Sequence, residues 1–165
     1  MKEESIILGG GCFWCIEALF KRIDGVISLI SGYAGGNTTN PTYKEVCSGN
    51  TKHAEVVNVT FDSEKISLDT ILDFFFLAHD ATQKNRQGND VGSQYRSFIG
   101  CSEDQREIVE TKIKQVPHAT TEVQIDPIFY PAESYHQKYY EQNPLHPYCM
   151  LVIKPKLKKF LKHLK

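Results

Sequence analysis

Three consecutive glycines, Gly9, Gly10 and Gly11, separate two stretches of different hydrophobic period, and no other feature constrains the chain as much. Before them, Glu4-Ser5-Ile6-Ile7-Leu8 reads as a short strand. After them, Trp14, Ala18, Leu19 and the residues to Arg22 repeat at the three- and four-residue spacing of a helix. The glycines permit a tight strand-to-helix turn, and Cys12 then opens the helix. Unpaired backbone N–H groups and the positive end of the helix dipole meet there, which predicts a thiolate stabilised relative to the thiol. A buried, inert cysteine is the structural alternative. The open glycine turn and the neighbouring Phe13-Trp14 pair weigh against it.

The chain of 165 residues is about one domain long. A domain of that size buries roughly two-thirds of its unfolded surface and needs no disulfide framework. Its cysteines, at positions 12, 15, 47, 101 and 149, are odd in number and lack the spacing of a secreted scaffold. No leader pattern is recognisable, and no apolar run approaches the roughly 20 residues of a membrane span. A reducing, cytoplasmic setting is the expectation, and there cysteines are more often catalytic or redox-active. The net charge is −1, but six lysines and no acid lie from Gln142 onward. Leu157, Phe160, Leu161 and Leu164 share one helical face of that tail, with Lys158, Lys159, Lys162 and Lys165 on the rest. This predicts a docked terminal helix with a solvated lysine face, rather than a nucleic-acid or membrane patch.

Strand and helix patterns alternate along the chain without repeats. Strands are predicted at Val26–Ile30, Ala54–Phe61, Ser97–Ile99 and Thr121–Ile125, with Gly32–Asn37 as a loop. Helices are predicted from Pro41 to about Cys47, over Leu68–Leu77 behind a Ser67 N-cap, and over Ser102–Val116 behind a Ser102/Gln105 capping box. Glu133–Glu141 is predicted to form a further helix. His79–Ser93 is a polar stretch of a length that connection alone does not require. Asp126–Pro131 and Asn143–Pro147 are proline-punctuated and stiff. One α/β or α+β layer domain over residues 1–165 accounts for this order.

Cys12-Phe13-Trp14-Cys15 has the spacing of a redox dithiol. A structural zinc site wants a second such pair, which Cys47, Cys101 and Cys149 do not supply. A dinucleotide fingerprint beginning at Gly9 would need glycine where Trp14 stands. Thiol chemistry remains. Gly11-Cys12-Phe13-Trp14 resembles the signature of the A-type peptide methionine sulfoxide reductases. Further stretches resemble that family in the same order: Ser31-Gly32-Tyr33-Ala34-Gly35-Gly36, Asn40-Pro41-Thr42-Tyr43, His53-Ala54-Glu55-Val56-Val57, Gly88 through Ser97, Tyr135-His136-Gln137 and Asn143-Pro144.

The resemblance implies an α+β, two-layer domain, a mixed β-sheet flanked by helices with a ferredoxin-like core. It implies reduction of the S epimer of methionine sulfoxide, free or in proteins, to methionine. By the same resemblance Cys12 is the nucleophile and Glu55 the acid that protonates the departing oxygen. Burial among Ala54, Val56 and Val57 is the environment that keeps such a carboxyl protonated. Tyr43 and Tyr95 match phenols that hydrogen-bond the oxygen, and Asp90 a carboxylate near the nucleophile, acting through water. Phe13 and Trp14 match the wall that receives the substrate's ε-methyl group. His136 is expected in a structural role.

Turnover would leave Cys12 as a sulfenic acid, resolved in the family by a second cysteine, with thioredoxin reducing the disulfide. Cys149 follows Tyr148 at the matching place and is the expected resolving thiol, with Cys15 next, although Met150-Leu151-Val152-Ile153 looks ordered where many members have a mobile glycine-rich tail. Cys15 stands where glycine is common, and its spacing from Cys12 suits a small disulfide ring. Cys47 and Cys101 are expected to be buried structural thiols. The expectation is a monomer without metal, organic cofactor, nucleic acid or membrane partner. A thioredoxin-type thiol–disulfide oxidoreductase and a peptide-binding module are the rival readings.

Overall fold

The computed structural model describes residues 1–164. In chain order its elements are β1 (Glu3–Gly9), α1 (Phe13–Phe20), β2 (Val26–Ala34), α2 (Tyr43–Cys47), β3 (Ala54–Asp62), α3 (Leu68–Ala78), β4 (Arg86–Gln87), β5 (Asp90–Val91), β6 (Phe98–Cys101), α4 (Arg106–Lys114), β7 (Glu122–Ile125), β8 (Tyr130–Pro131), α5 (Tyr139–Gln142) and α6 (Lys154–Leu161). Among the described residues, six strands form one sheet in the order β7-β6-β1-β3-β2-β8. Its centre, β6-β1-β3-β2, is antiparallel throughout and is wound as β1-α1-β2-β3-α3-β6, the ferredoxin-like arrangement. Parallel pairing of β7 with β6 makes the sheet mixed.

Alternation along β3 sorts the two faces. Glu55, Val57, Val59 and Phe61 fall on one side by their period of two, and the last three join the main core with α1, α3 and α6. Ala54 and Val56 face the other way, into a smaller cluster with Ala34 and Phe98. Glu55 is therefore a carboxyl on the apolar, helix-covered face. Helix α6 docks as its pattern predicts: Leu157 and Phe160 are buried, and Phe160 packs 5.7 Å from Phe74 and 6.4 Å from Phe20 between ring centroids. The Ser67 cap and the Ser102/Gln105 capping box form as expected.

Three expectations are corrected. Strand β2 does not end before Gly32: Gly32, Tyr33 and Ala34 continue the ladder with β3, and β8 pairs across Gly32 and Tyr33 from the other edge. The polar stretch after α3 contains the β4–β5 hairpin and a 3-10 turn at Ser93–Tyr95. Gln87 pins it by accepting from the Asp80 amide at 2.8 Å and donating to the Asp80 carbonyl at 2.9 Å. In place of the helix predicted over Glu133–Glu141 there is a 3-10 turn at Ser134–His136, a left-handed Lys138 and the four-residue α5. Tertiary bonds override helix propensity there. Gln137 accepts from the Ser31 amide and donates to the Ser31 and Ala132 carbonyls, while the Lys138 amide donates to the buried Glu17 carboxyl.

Candidate active site

The register of β1 against β3 pairs Leu8 with Val57, so the chain leaves the sheet level with Glu55. Two glycines make that exit possible. A side chain at Gly10 would meet the His79 ring at 2.6 Å, and Gly11 has φ +86° with Gln87 at 2.9 Å from any added Cβ. His79 is itself fixed between the Phe75 carbonyl and the Ser97 hydroxyl, each at 2.8 Å. Cys12 then caps α1 beside Glu55, and the Phe13 amide donates to Glu55 Oε1 at 3.1 Å.

Glu55 is 1 % exposed, and its Oε2 has no hydrogen-bond partner. Burial pushes its pKa up to about 8, against the Phe13 amide and a hydrogen bond from the Cys12 thiol, which favour the anion; Asp90 pushes it further up. The carboxyl is thus protonated near neutrality, with its free oxygen available to donate. Burial also holds the Cys12 thiol well above the usual thiol range, and Glu55 and Cys15 add to this. The Trp14 amide at the helix start does pull the other way, as expected from the sequence, but it is outweighed. Cys12 thus rests as a protonated thiol in place of the expected thiolate, because burial and a facing acid outweigh the helix start.

Tyr43 and Tyr95 complete this group. Both phenols are held neutral, first by burial and then by Glu55. Phe13 is wholly buried, its ring centroid 6.4 Å from Tyr43, 5.7 Å from Tyr33 and 5.2 Å from His136. Trp14 is half-buried and stacks on Tyr139 at 3.8 Å between centroids, with its indole N–H donating to His136 Nδ1 at 3.1 Å. His136 therefore carries its proton on Nε2, which is buried and unpartnered. Asp90 accepts from the Tyr148 hydroxyl at 2.6 Å, and Tyr148 Oη lies 3.7 Å from Cys15 Sγ.

The structure thus gathers Cys12, Glu55, Tyr43, Tyr95, Phe13, Trp14 and Asp90 around the start of α1. Cys149 is wholly buried in a π-helical turn over Cys149–Ile153, and burial raises its pKa. Cys101 is buried as expected, but Cys47 is exposed, because α2 is a five-residue surface helix that buries Val46 only. Three contributors escaped the sequence reading. Tyr148 holds Asp90; Tyr33 donates to Glu133 Oε1 at 2.9 Å; and Glu133 Oε2 accepts the Tyr43 amide at 2.9 Å, seating α2. Continuing the alternation of β2 past Gly32 would have put Tyr33 opposite Glu55. No local pattern marks Glu133 or Tyr148.

A surface cleft of about 380 Å³ lies elsewhere, between α1 and the β2 edge, and holds none of these side chains. Among the described residues no helix is long and apolar enough to cross a membrane.

Known proteins resemble this chain over nearly its whole length. A family model described as peptide methionine sulfoxide reductase matches residues 4–165. The peptide methionine sulfoxide reductase MsrA of Nautilia profundicola is 52 % identical over 161 residues, 94 % of this chain and 93 % of its own. Mxr1 from Saccharomyces cerevisiae in reduced form superposes with a TM-score of 0.80 at 35 % identity, covering 90 % of both chains. Mxr1 in complex with Trx2 gives 0.58 at 25 % identity, covering 84 % of this chain and 85 % of that one. The chain belongs to the peptide methionine sulfoxide reductase family.

Proposed function

We propose that this chain is a peptide-methionine (S)-S-oxide reductase, a thiol-dependent oxidoreductase that repairs oxidised methionine within one catalytic domain over residues 1–165. The observation that carries the proposal is the Cys12–Glu55 pair. A buried acid, protonated near neutrality, has one oxygen held by the Phe13 amide and the other free, beside a thiol at a helix start. A sulfoxide has one polarised oxygen that must gain a proton and one sulfur that must accept a nucleophile, and the pair offers both.

Cys12 Sγ attacks the sulfoxide sulfur as Glu55 Oε2 gives its proton to the oxygen. The thiol proton passes to the same carboxyl through the Cys12–Glu55 hydrogen bond. The oxygen ends on Cys12, so methionine is reduced by two electrons, Cys12 becomes a sulfenic acid, and Glu55 is protonated again. Tyr43 and Tyr95, neutral phenols facing Glu55, donate to the oxygen as its charge grows. Phe13 and Trp14 present aromatic faces to the methyl group, and Asp90 holds the Tyr148 hydroxyl beside Cys15.

A second thiol, Cys15 or Cys149, then converts the sulfenic acid to a disulfide, which an external dithiol reduces. The complex of Mxr1 with Trx2 supports a thioredoxin in that role. A reducing, cytoplasmic compartment and a monomer acting alone belong to the same proposal.

The test is methionine formation from separated S and R epimers of a blocked methionine sulfoxide, with wild type and Cys12→Ser. Methionine from the S epimer alone, absent in Cys12→Ser, is the expected result. Methionine from neither epimer, together with dithiol–disulfide exchange, would point to the thioredoxin-type reading.

A further inference from the structure

On that reading, we infer that Cys15 is the thiol that first resolves the Cys12 sulfenic acid, and that Tyr148 and Asp90 form the relay that takes its proton.

Position comes first. Cys12 is the N-cap of α1, and the Cys15 amide donates to the Cys12 carbonyl at 3.0 Å, so one closed turn joins them. Residues three apart in such a turn have Cα atoms about 5–6 Å apart, inside the range that a disulfide spans without backbone movement. The resolving step then needs side-chain rotation only. Cys149, wholly buried within a helical turn, offers no such local path.

The polar surroundings of Cys15 are also suited to the step. Tyr148 spends its single proton on Asp90 at 2.6 Å, so at the 3.7 Å contact the Cys15 thiol is the donor and the phenol oxygen the acceptor. Burial pushes the Cys15 pKa up to about 11, while Lys156 acts to lower it. Burial is the one influence acting on Cys149. A buried thiol with a hydroxyl–carboxylate acceptor can lose its proton during attack without existing as a free thiolate.

The step balances. Cys15 Sγ attacks Cys12 Sγ, the S–S bond forms and the S–O bond of the sulfenic acid breaks. The Cys15 proton moves to Tyr148 as the Tyr148 proton moves to Asp90. The departing hydroxide takes the proton of Glu55 and leaves as water. Asp90, partly exposed, releases its proton to solvent, from which Glu55 is recharged.

The experiment is one turnover without reductant. Wild type, Cys15→Ser and Cys149→Ser receive one equivalent of blocked methionine-S-sulfoxide and are quenched by alkylation at successive times. Methionine is counted, and peptides are mapped by mass. In wild type and Cys149→Ser the earliest disulfide is expected within the peptide that holds both Cys12 and Cys15. In Cys15→Ser a dimedone-reactive sulfenic acid should accumulate, with disulfide formation slowed at least about tenfold for want of the neighbouring thiol. Methionine released with Cys12 linked first to Cys149, or Cys149→Ser stalled at the sulfenic acid, overturns this inference and leaves the reductase reading standing. No methionine from any of the three proteins overturns both.

Discussion

The Phe13 amide holds Glu55 Oε1 at 3.1 Å and leaves Glu55 Oε2, equally buried, without a partner. One residue on α1 thus decides which oxygen of a β3 acid stays free. With burial pushing its pKa up to about 8, this carboxyl is protonated at pH 7. Difference infrared spectroscopy should find a carboxylic C=O band at pH 7 that fades above pH 8 and is missing from Glu55→Gln. A protein in which that band is already absent at pH 6 would remove the acid from the mechanism.

Stability should carry the same signature. The folded pKa of Glu55 lies above its ordinary 4.5, so between about 4.5 and 8 the unfolded chain ionises while the folded chain stays protonated. The unfolded state then binds fewer protons, and stability falls as pH rises through that window, with a slope approaching about 1.4 kcal/mol per unit. Glu55→Gln removes this slope, so its denaturant midpoint relative to wild type should rise steadily from pH 5 to pH 8. Parallel profiles for the two proteins would contradict the assignment.

Labelling of the reduced protein should separate the thiols by exposure. Cys47 is exposed, whereas Cys12, Cys15, Cys101 and Cys149 are buried, and burial and Glu55 keep Cys12 protonated. Iodoacetamide at pH 7 should therefore modify Cys47 first. Preferential modification of Cys12 would restore the stabilised thiolate that the helix start alone predicts.

That contrast shows where the sequence was legible. The turn at Gly9-Gly10-Gly11, the alternation of β3 and the capping residues Ser67 and Ser102 are local, and the structure keeps all of them. The pKa of Cys12 is not local, because it depends on which acid the β1–β3 register brings opposite the turn. The segment from Glu133 to Glu141 reads as a helix for the same reason in reverse: its own propensities favour one. Gln137 bonded to Ser31, and Lys138 to Glu17, break it from more than 100 residues away. Tyr148 was likewise visible only as a neighbour of Cys149 until the fold set it against Asp90.

In the proposed mechanism Tyr43 and Tyr95 act on the oxygen rather than on binding. Tyr43→Phe and Tyr95→Phe should each lower the single-turnover rate by roughly a hundredfold if their hydroxyls meet developing charge. The KM should change little. A rise in KM at unchanged rate would make them packing residues.

The strand-to-helix exit is the most sensitive structural point. Gly11→Ala places a side chain at φ +86° against Gln87, and should lower stability by about 1–3 kcal/mol. Calorimetry checks it. A melting temperature equal to wild type would mean that the turn adapts more freely than its contacts with Gln87 imply.

The most direct measurement is the pH dependence of the single-turnover rate of methionine formation, from pH 5 to 10, in wild type and Glu55→Gln. Wild type should be level up to about pH 8 and then fall close to tenfold per unit as Glu55 ionises. Glu55→Gln should be slower by roughly a hundredfold or more and lack that inflection. A Glu55→Gln rate within a few fold of wild type across the range would contradict the account at its centre.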